Sequence, residues 1–183
     1  LPQKVNLVVY NQAIPESNPE LKETRRRGVI LLSYPKAIGE LTQKYKTIAV
    51  AGSHGKSTPT ALTSLILINA GFDPTVIVGT RMPELNNSNF RFGQGKWLVL
   101  EADEYCKAFH NYSPYAAIIT NIGKEHLDTY KNLTGVKKSF LQFISNIQDG
   151  GILTLNGGDK NLKSLEININ KICNAKKVKV FWY

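Results

Sequence analysis

Ala49-Val50-Ala51-Gly52-Ser53-His54-Gly55-Lys56-Ser57-Thr58 carries an apolar run into a glycine-flanked turn that ends in Gly-Lys-Ser-Thr. Glycines at such a turn let the backbone curl so that several N–H groups converge on phosphate oxygens, and a lysine adds positive charge between the outer phosphates. The hydroxyl that follows suits the magnesium ion that accompanies a nucleotide. The flanks agree with this reading. Lys46 to Ala51 has the composition of a buried strand, and from Ser57 to Ala70 a helix carries Leu62, Leu65, Ile66 and Asn69 at helical spacing. The loop is the shorter GxxGKS form, because the pattern GxxxxGK[ST] would need glycine where Val50 stands. Gly52, Ser53, His54, Gly55, Lys56, Ser57 and Thr58 are therefore the candidate nucleotide-binding residues. The competing reading, a strand-to-helix turn with a fortuitous lysine, is the weaker one in this context.

Outward from the loop, strands and helices alternate. Before it, Val5–Val9 reads as a strand, Pro19–Arg27 as a short helix capped by Asn18, Val29–Leu32 as a strand, and the stretch from Pro35 through Gln43 as a short helix. After it, Gly71-Phe72-Asp73-Pro74 is a stop signal, and Thr75–Val78 reads as a strand. Residues 80 to 96 are polar and glycine-containing, an exposed loop or hairpin. Strands follow at Trp97–Leu100, Ala116–Thr120 and Ile152–Leu155. Between the last two, residues 134 to 147 place Val136, Phe140, Phe143, Ile144 and Ile147 on one helical face. Buried strands alternating with amphipathic helices predict an α/β fold, a mostly parallel sheet with helices on both faces. Ligand sites in such sheets lie beyond the carboxyl ends of the strands, so polar clusters distant in sequence can meet there.

Composition narrows the function classes. The formal net charge is +9, but the excess is spread over Arg25-Arg26-Arg27, Lys137-Lys138 and Lys176-Lys177 without interleaved aromatics, so attraction of anionic nucleotides explains it more simply than nucleic-acid binding. No apolar run is long enough for a membrane span and no leader pattern is present, which points to a cytoplasmic protein without a membrane partner. Cys106 and Cys173 lack metal-site spacing and read as free thiols. The chain opens on Leu1 beside an apolar segment and closes on the strand-like Lys177–Tyr183, which suggests a piece of a longer protein.

Two further clusters carry candidate chemistry. Glu101 directly follows an apolar strand, where the acidic residue of a nucleotide site belongs, and with Ser57 it forms a candidate magnesium pair. Asp103 and Glu104 are alternatives for that role, or a solvated acidic turn. His126 is a candidate ligand or catalytic residue, although a lone histidine more often caps or packs. His54 and Asn121 are candidate substrate contacts, with loop packing and strand capping as the respective alternatives.

VAGSHGKST at 50–58, LEADEY at 100–105 and ITNIGKEHLDTY at 119–130, in this order, closely resemble the Mur ligase family, and VNLVVYNQAIPESNPEL at 5–21 resembles the later part of its UDP-binding N-terminal domain. The resemblance implies residues 1–45 as part of a Rossmann-like domain and 46–183 as an incomplete P-loop ATPase-like central domain. It further implies an ATP-dependent amide-bond ligase of peptidoglycan precursor synthesis. The muramic acid carboxylate of UDP-N-acetylmuramate attacks the γ-phosphate, and the amine of L-alanine then attacks the resulting acyl phosphate. By motif matching, Lys56 would stabilise the β- and γ-phosphates, Ser57 and Glu101 would hold magnesium, and His126 would join a second metal or the acyl-phosphate site.

Some positions depart from the family pattern. Glu125 stands where aspartate is common, Cys106 stands where aspartate follows the acidic cluster, and Asn156-Gly157-Gly158-Asp159 replaces Asn-x-Asp-Asp. The competing readings are a related ligase that joins a whole peptide to UDP-N-acetylmuramate, folylpolyglutamate synthase, and a nucleotide-binding module that does not catalyse.

Overall fold

The computed structural model describes residues 1–183, apart from the side chain of Leu127. Two sheets organise the chain. The first is a parallel pair, β1 (Leu7–Tyr10) and β2 (Ile30–Ser33), joined by α1 (Pro19–Arg26). Asn18 caps α1 as its sequence position predicts, its side-chain oxygen accepting from the N–H groups of Glu20 at 2.8 Å and Leu21 at 3.3 Å. A second helix, α2 (Tyr34–Lys44), leads into the main sheet. It is longer than Pro35 and Gly39 suggest. Proline is tolerated in a first helical turn, and Gly39 packs so closely on Asn111 that an added Cβ would lie 2.5 Å from its carbonyl oxygen.

The main sheet has seven strands. In chain order they are β3 (Lys46–Ala51), β4 (Thr75–Met82), β5 (Ser88–Arg91), β6 (Trp97–Glu101), β7 (Ala116–Ile119), β8 (Ile152–Leu155) and β9 (Lys179–Trp182). Their spatial order is β5-β4-β6-β3-β7-β8-β9. Every pairing is parallel except β4 with β5, the hairpin that occupies much of the polar stretch 80–96. The chain leaves β3 toward one edge, returns beside it as β6, and crosses to its other side as β7. β3 therefore sits where the winding reverses, and the phosphate loop emerges from its carboxyl end.

Strand alternation gives the sheet two apolar faces. On one, Ala49, Ala51, Leu98, Leu100, Ala117, Ile119, Leu153 and Leu155 meet α5 (Leu133–Ser145), α7 (Glu166–Ala175) and the 3-10 segment Tyr105–Asn111. Phe109 stacks on Phe143 at 4.9 Å between centroids and meets Phe140 edge-on at 5.2 Å, all three fully buried. Burying a side chain of that size contributes about 1.5–3 kcal/mol. The predicted face of residues 134–147 is thus the face that packs.

On the other side of the sheet, Val76 and Val78 pack with Ala61, Leu65 and Ile68 of α3 (Ser57–Asn69). Here the sequence pattern misleads in part. Leu62 and Ile66 share the spacing of Leu65 but are 56% and 66% exposed, while Thr60 and Ser64 are buried with their hydroxyls bonded to the carbonyls of Lys56 and Thr60. Two short helices, α4 (Leu127–Tyr130) and α6 (Lys160–Lys163), complete the elements. With α7, α6 fills the stretch between β8 and β9 that the sequence reading leaves unassigned. Among the described residues no helix is long and apolar enough to cross a membrane. Both cysteines are free, Cys106 exposed and Cys173 buried.

Candidate active site

The loop after β3 is held by its backbone as much as by its own sequence. Gly52 has φ +147°, and a Cβ there would lie 2.0 Å from Thr120 Oγ1, so only glycine fits against the strand-end segment that follows β7. Gly55 also takes a positive φ, +71°. Asn121 then clamps the loop. Its side-chain oxygen accepts from the His54 N–H at 2.9 Å, and its amide donates to the His54 carbonyl at 2.8 Å. Thr120 Oγ1 donates to the same carbonyl at 2.6 Å, and the Gly123 N–H donates to Ser53 Oγ at 2.8 Å. Asn121 thus holds the loop backbone, a contact that neither of its readings from sequence, substrate orientation or strand capping, anticipates. The His54 imidazole projects outward, 68% exposed, with Nε2 3.3 Å from Glu125 Oε1. Thr58 is exposed on the first turn of α3.

Two carboxylates, Glu101 at the end of β6 and Glu104 just beyond it, converge on Ser57 and Lys56. Lys56 Nζ donates to the Gly52 carbonyl at 2.8 Å and to Glu104 Oε2 at 2.9 Å. Ser57 Oγ donates to Glu101 Oε1 at 3.2 Å, and the other oxygen of Glu101 accepts from the Gly79 N–H at 2.7 Å. Gly79 admits that approach because a Cβ would come within 2.7 Å of the carboxylate. Glu101 closes β6, so the strand's pairing with β3 brings it alongside the start of α3.

Glu104 is the side chain to which sequence reasoning gives too little weight. It is 1% exposed, and besides Lys56 it faces His126, whose Nε2 lies 3.6 Å from Glu104 Oε1. Oε1 is buried without a hydrogen-bond partner among the described residues. Asp103, Glu104 and His126 bring ligand atoms within 4.8 Å of one another. His126 adopts φ +52°, and its ring lies 4.9 Å from that of Tyr105. The predicted set Ser57, Glu101 and His126 is thus distributed over two neighbouring pairs, Ser57 with Glu101 and His126 with Glu104, bridged by the turn that leaves β6. The spacing of Glu101 and Glu104 was the only available signal, because periodicity ends with the strand.

These residues fit a divalent cation. A buried carboxylate oxygen without a partner is costly unless something positive approaches it, and carboxylate and hydroxyl oxygens are the donors that magnesium prefers. The loop's glycines, its lysine and the N-terminus of α3 suit a polyphosphate. A cavity of about 280 Å³ opens beside the same cluster, between Asn11, Gln12 and Ala13 after β1 and Glu101, Asp103 and Tyr105 after β6. It is large enough for part of a small-molecule substrate.

The family model for the Mur ligase middle domain matches residues 50–180. Over its full length the chain is 36% identical to a UDP-N-acetylmuramate–L-alanine ligase of Borreliella burgdorferi, covering 38% of that protein. It is 42% identical to the enzyme of the same name from Aquifex aeolicus, with 87% of the chain matched to 35% of the relative. Among solved structures, UDP-N-acetylmuramate-alanine ligase from Thermotoga maritima aligns with a TM-score of 0.77 at 29% identity, over 87% of this chain and 37% of that one. A UDP-N-acetylmuramate:L-alanyl-γ-D-glutamyl-meso-diaminopimelate ligase from Neisseria meningitides reaches 0.78 at 20% identity, over 97% of this chain and 58% of that one, a likeness of fold. The chain spans somewhat more than a third of the length of the curated relatives it matches.

Proposed function

The chain belongs to the Mur ligase family, and on that premise we propose that it is the nucleotide-handling part of an ATP-dependent ligase that joins L-alanine to the carboxylate of UDP-N-acetylmuramate. The observation that carries this reading is the convergence of Lys56, Ser57, Glu101, Glu104 and His126 at one end of the sheet. The substrates are those in the names of the relatives, and the compartment is the cytoplasm, as the sequence reading expects. Residues 1–45 form part of the UDP-sugar domain and 46–183 the ATP-binding domain, a division supported by the separation of β1 and β2 from the sheet that begins at β3.

The chemistry demands that two anions approach. The muramoyl carboxylate attacks the γ-phosphorus of ATP, a C–O–P linkage forms as the bond to the β-phosphate oxygen breaks, and ADP departs. The amine of L-alanine then attacks the activated carbonyl, loses a proton, and inorganic phosphate leaves with the amide bond formed. Lys56 serves this sequence by placing an ammonium where phosphate charge accumulates. Its contacts with the Gly52 carbonyl and Glu104 hold the side chain back along the loop, so it is positioned before nucleotide arrives. Gly52, Ser53 and Gly55 shape the backbone, and Thr58 lies on the helix turn that follows. Ser57 and Glu101 would hold one magnesium ion, and Glu104 with His126 and Asp103 would offer ligands to a second. Magnesium bound there supplies charge neutralisation for the phosphates and the carboxylate. The exposed His54 imidazole would be free to meet the acyl phosphate or the incoming amine.

Isothermal calorimetry of the chain with ATP, in magnesium and in excess chelator, tests the nucleotide half of the reading. Magnesium-dependent binding that weakens at least about tenfold in Ser57→Ala and in Glu101→Gln is the expected result. Binding indifferent to magnesium in the wild type rejects the metal assignment. Catalysis is tested in the longer protein that contains this segment, by ADP release that requires both UDP-N-acetylmuramate and L-alanine. The 183-residue chain alone is expected not to turn over.

A further inference from the structure

A second cavity, of about 570 Å³, lies between the 3-10 segment Tyr105–Asn111, α4 and the first half of α5. Its wall carries Lys107, Lys131 and Lys138 and no carboxylate. Among the described residues none of these three lysines makes an ion pair, whereas Lys56, Lys163 and Lys176 elsewhere each meet an acid. Its surface is more apolar than polar, and the buried polar groups behind it are linked to one another. His110 Nε2 lies 2.7 Å from Ser139 Oγ, Ser139 Oγ donates to the Tyr130 hydroxyl at 3.3 Å, and Tyr130 and Ser139 are each 5% exposed. Burial lowers the pKa of His110, its hydrogen bond to the Ser139 backbone opposes that, and the charge of Lys107 lowers it in turn.

A concave surface with three ammonium groups and no competing carboxylate selects a compact, multiply charged oxyanion. Its volume lies within the ordinary range for small-molecule sites. A neutral sugar or a zwitterionic amino acid would leave most of that charge unmet. We propose that this cavity binds a soluble phosphate-bearing anion, at a site separate from the nucleotide loop. Its wall is joined to that loop through one residue. The Tyr130 hydroxyl donates to the Glu104 carbonyl, the Lys107 N–H donates to the same oxygen at 3.0 Å, and the Glu104 side chain holds Lys56. The wall of the cavity is therefore linked to the phosphate-binding lysine through Glu104.

Inorganic pyrophosphate titrated calorimetrically into the chain without magnesium is the test, with three proteins compared. Lys56→Ala, which removes the loop's own share of pyrophosphate binding, is expected to retain the cavity site, and Lys107→Ala/Lys138→Ala to weaken that site at least about tenfold, the loss of charge-assisted contacts worth at least one decade in affinity. Both substituted lysines of the pair are exposed, so folding is retained, and circular dichroism checks it. The His110 imidazole resonances should move on titration in the wild type. Binding that disappears in Lys56→Ala but survives in the double variant places the anion at the nucleotide loop and overturns the proposal, as does the absence of binding. Phosphatidylglycerol vesicles at equal phosphate concentration are expected to be ignored. Capture of vesicles with no response to pyrophosphate would mean that a lipid surface is the true partner.

Discussion

Lys56 Nζ lies 2.9 Å from Glu104 Oε2, and that carboxylate is 1% exposed, so the lysine expected to serve phosphate is also the counter-ion of a buried acid. Removing it does two things at once. Lys56→Ala should lose nucleotide binding and also leave Glu104 charged and largely unpaired, at a cost of about 3 kcal/mol in urea unfolding. Adding Glu104→Gln to that variant should recover most of the stability and none of the binding. If Lys56→Ala unfolds at the wild-type midpoint, the pair carries no structural weight.

Gly52→Ala offers a sharper probe of loop geometry. The new methyl would meet Thr120 Oγ1 at 2.0 Å and would sit on a backbone with φ +147°, outside the range of alanine. A loss of more than about 2 kcal/mol is expected by the general cost of overpacking and strained backbone. Pairing the change with Thr120→Ala should relieve the clash but not the backbone term. A neutral Gly52→Ala in thermal unfolding would show that the loop yields to the added methyl without cost.

Phe140 sets the scale for the opposite side of the sheet. It is fully buried and touches Phe109 edge-on. Phe140→Ala should cost about 3–5 kcal/mol, while Ile66→Ala on α3, at a position 66% exposed, should fall within about 0.5 kcal/mol of wild type. Equal effects in chemical denaturation would contradict the two-faced burial described above.

His110 predicts a pH dependence of definite sign. Burial holds its pKa below the ordinary imidazole value, with Lys107 adding to the shift. On acidification the unfolded chain takes up this proton first, so stability falls as pH drops from the ordinary value, about 6.5, through the lower folded one, and is unaffected above that window. In His110→Gln that part of the slope should vanish. A parallel pH profile for both proteins, measured by urea midpoints between neutral and mildly acidic pH, would assign the dependence to other groups.

The sheet was legible from its residues because its strands are apolar throughout. Lys46–Ala51, Trp97–Leu100, Ala116–Ile119 and Ile152–Leu155 are all recovered within a residue or so, and the Asn18 cap is found where a cap belongs. What could not be read locally was burial that depends on partners. Leu62 and Ile66 carry a helical apolar signal but face outward, because α3 turns its small residues Thr60, Ala61 and Ser64 toward the sheet. Polar groups can fill that face only because their hydroxyls bond back to the helix's own carbonyls. Glu104 shows the reverse error. Beyond a strand end no periodicity distinguishes a solvated acid from a buried one, and its burial is imposed by Lys56 and Tyr130 from far along the chain. The α6 and α7 helices were legible but went unread: Leu162, Leu165, Ile169 and Cys173 recur at helical spacing and are all buried, with Asn and Lys between them.

The clamp that Asn121 places on His54 joins positions 67 residues apart. During synthesis the glycine turn leaves the ribosome long before the residue that fastens it, and until β7 is added the backbone of His54 lacks the bonds to Thr120 and Asn121 that hold it. If the loop captures a nucleotide as proposed, that capture is deferred to a late stage of folding, and an opening of the β3–β7 seam in the finished molecule would free the loop from its clamp.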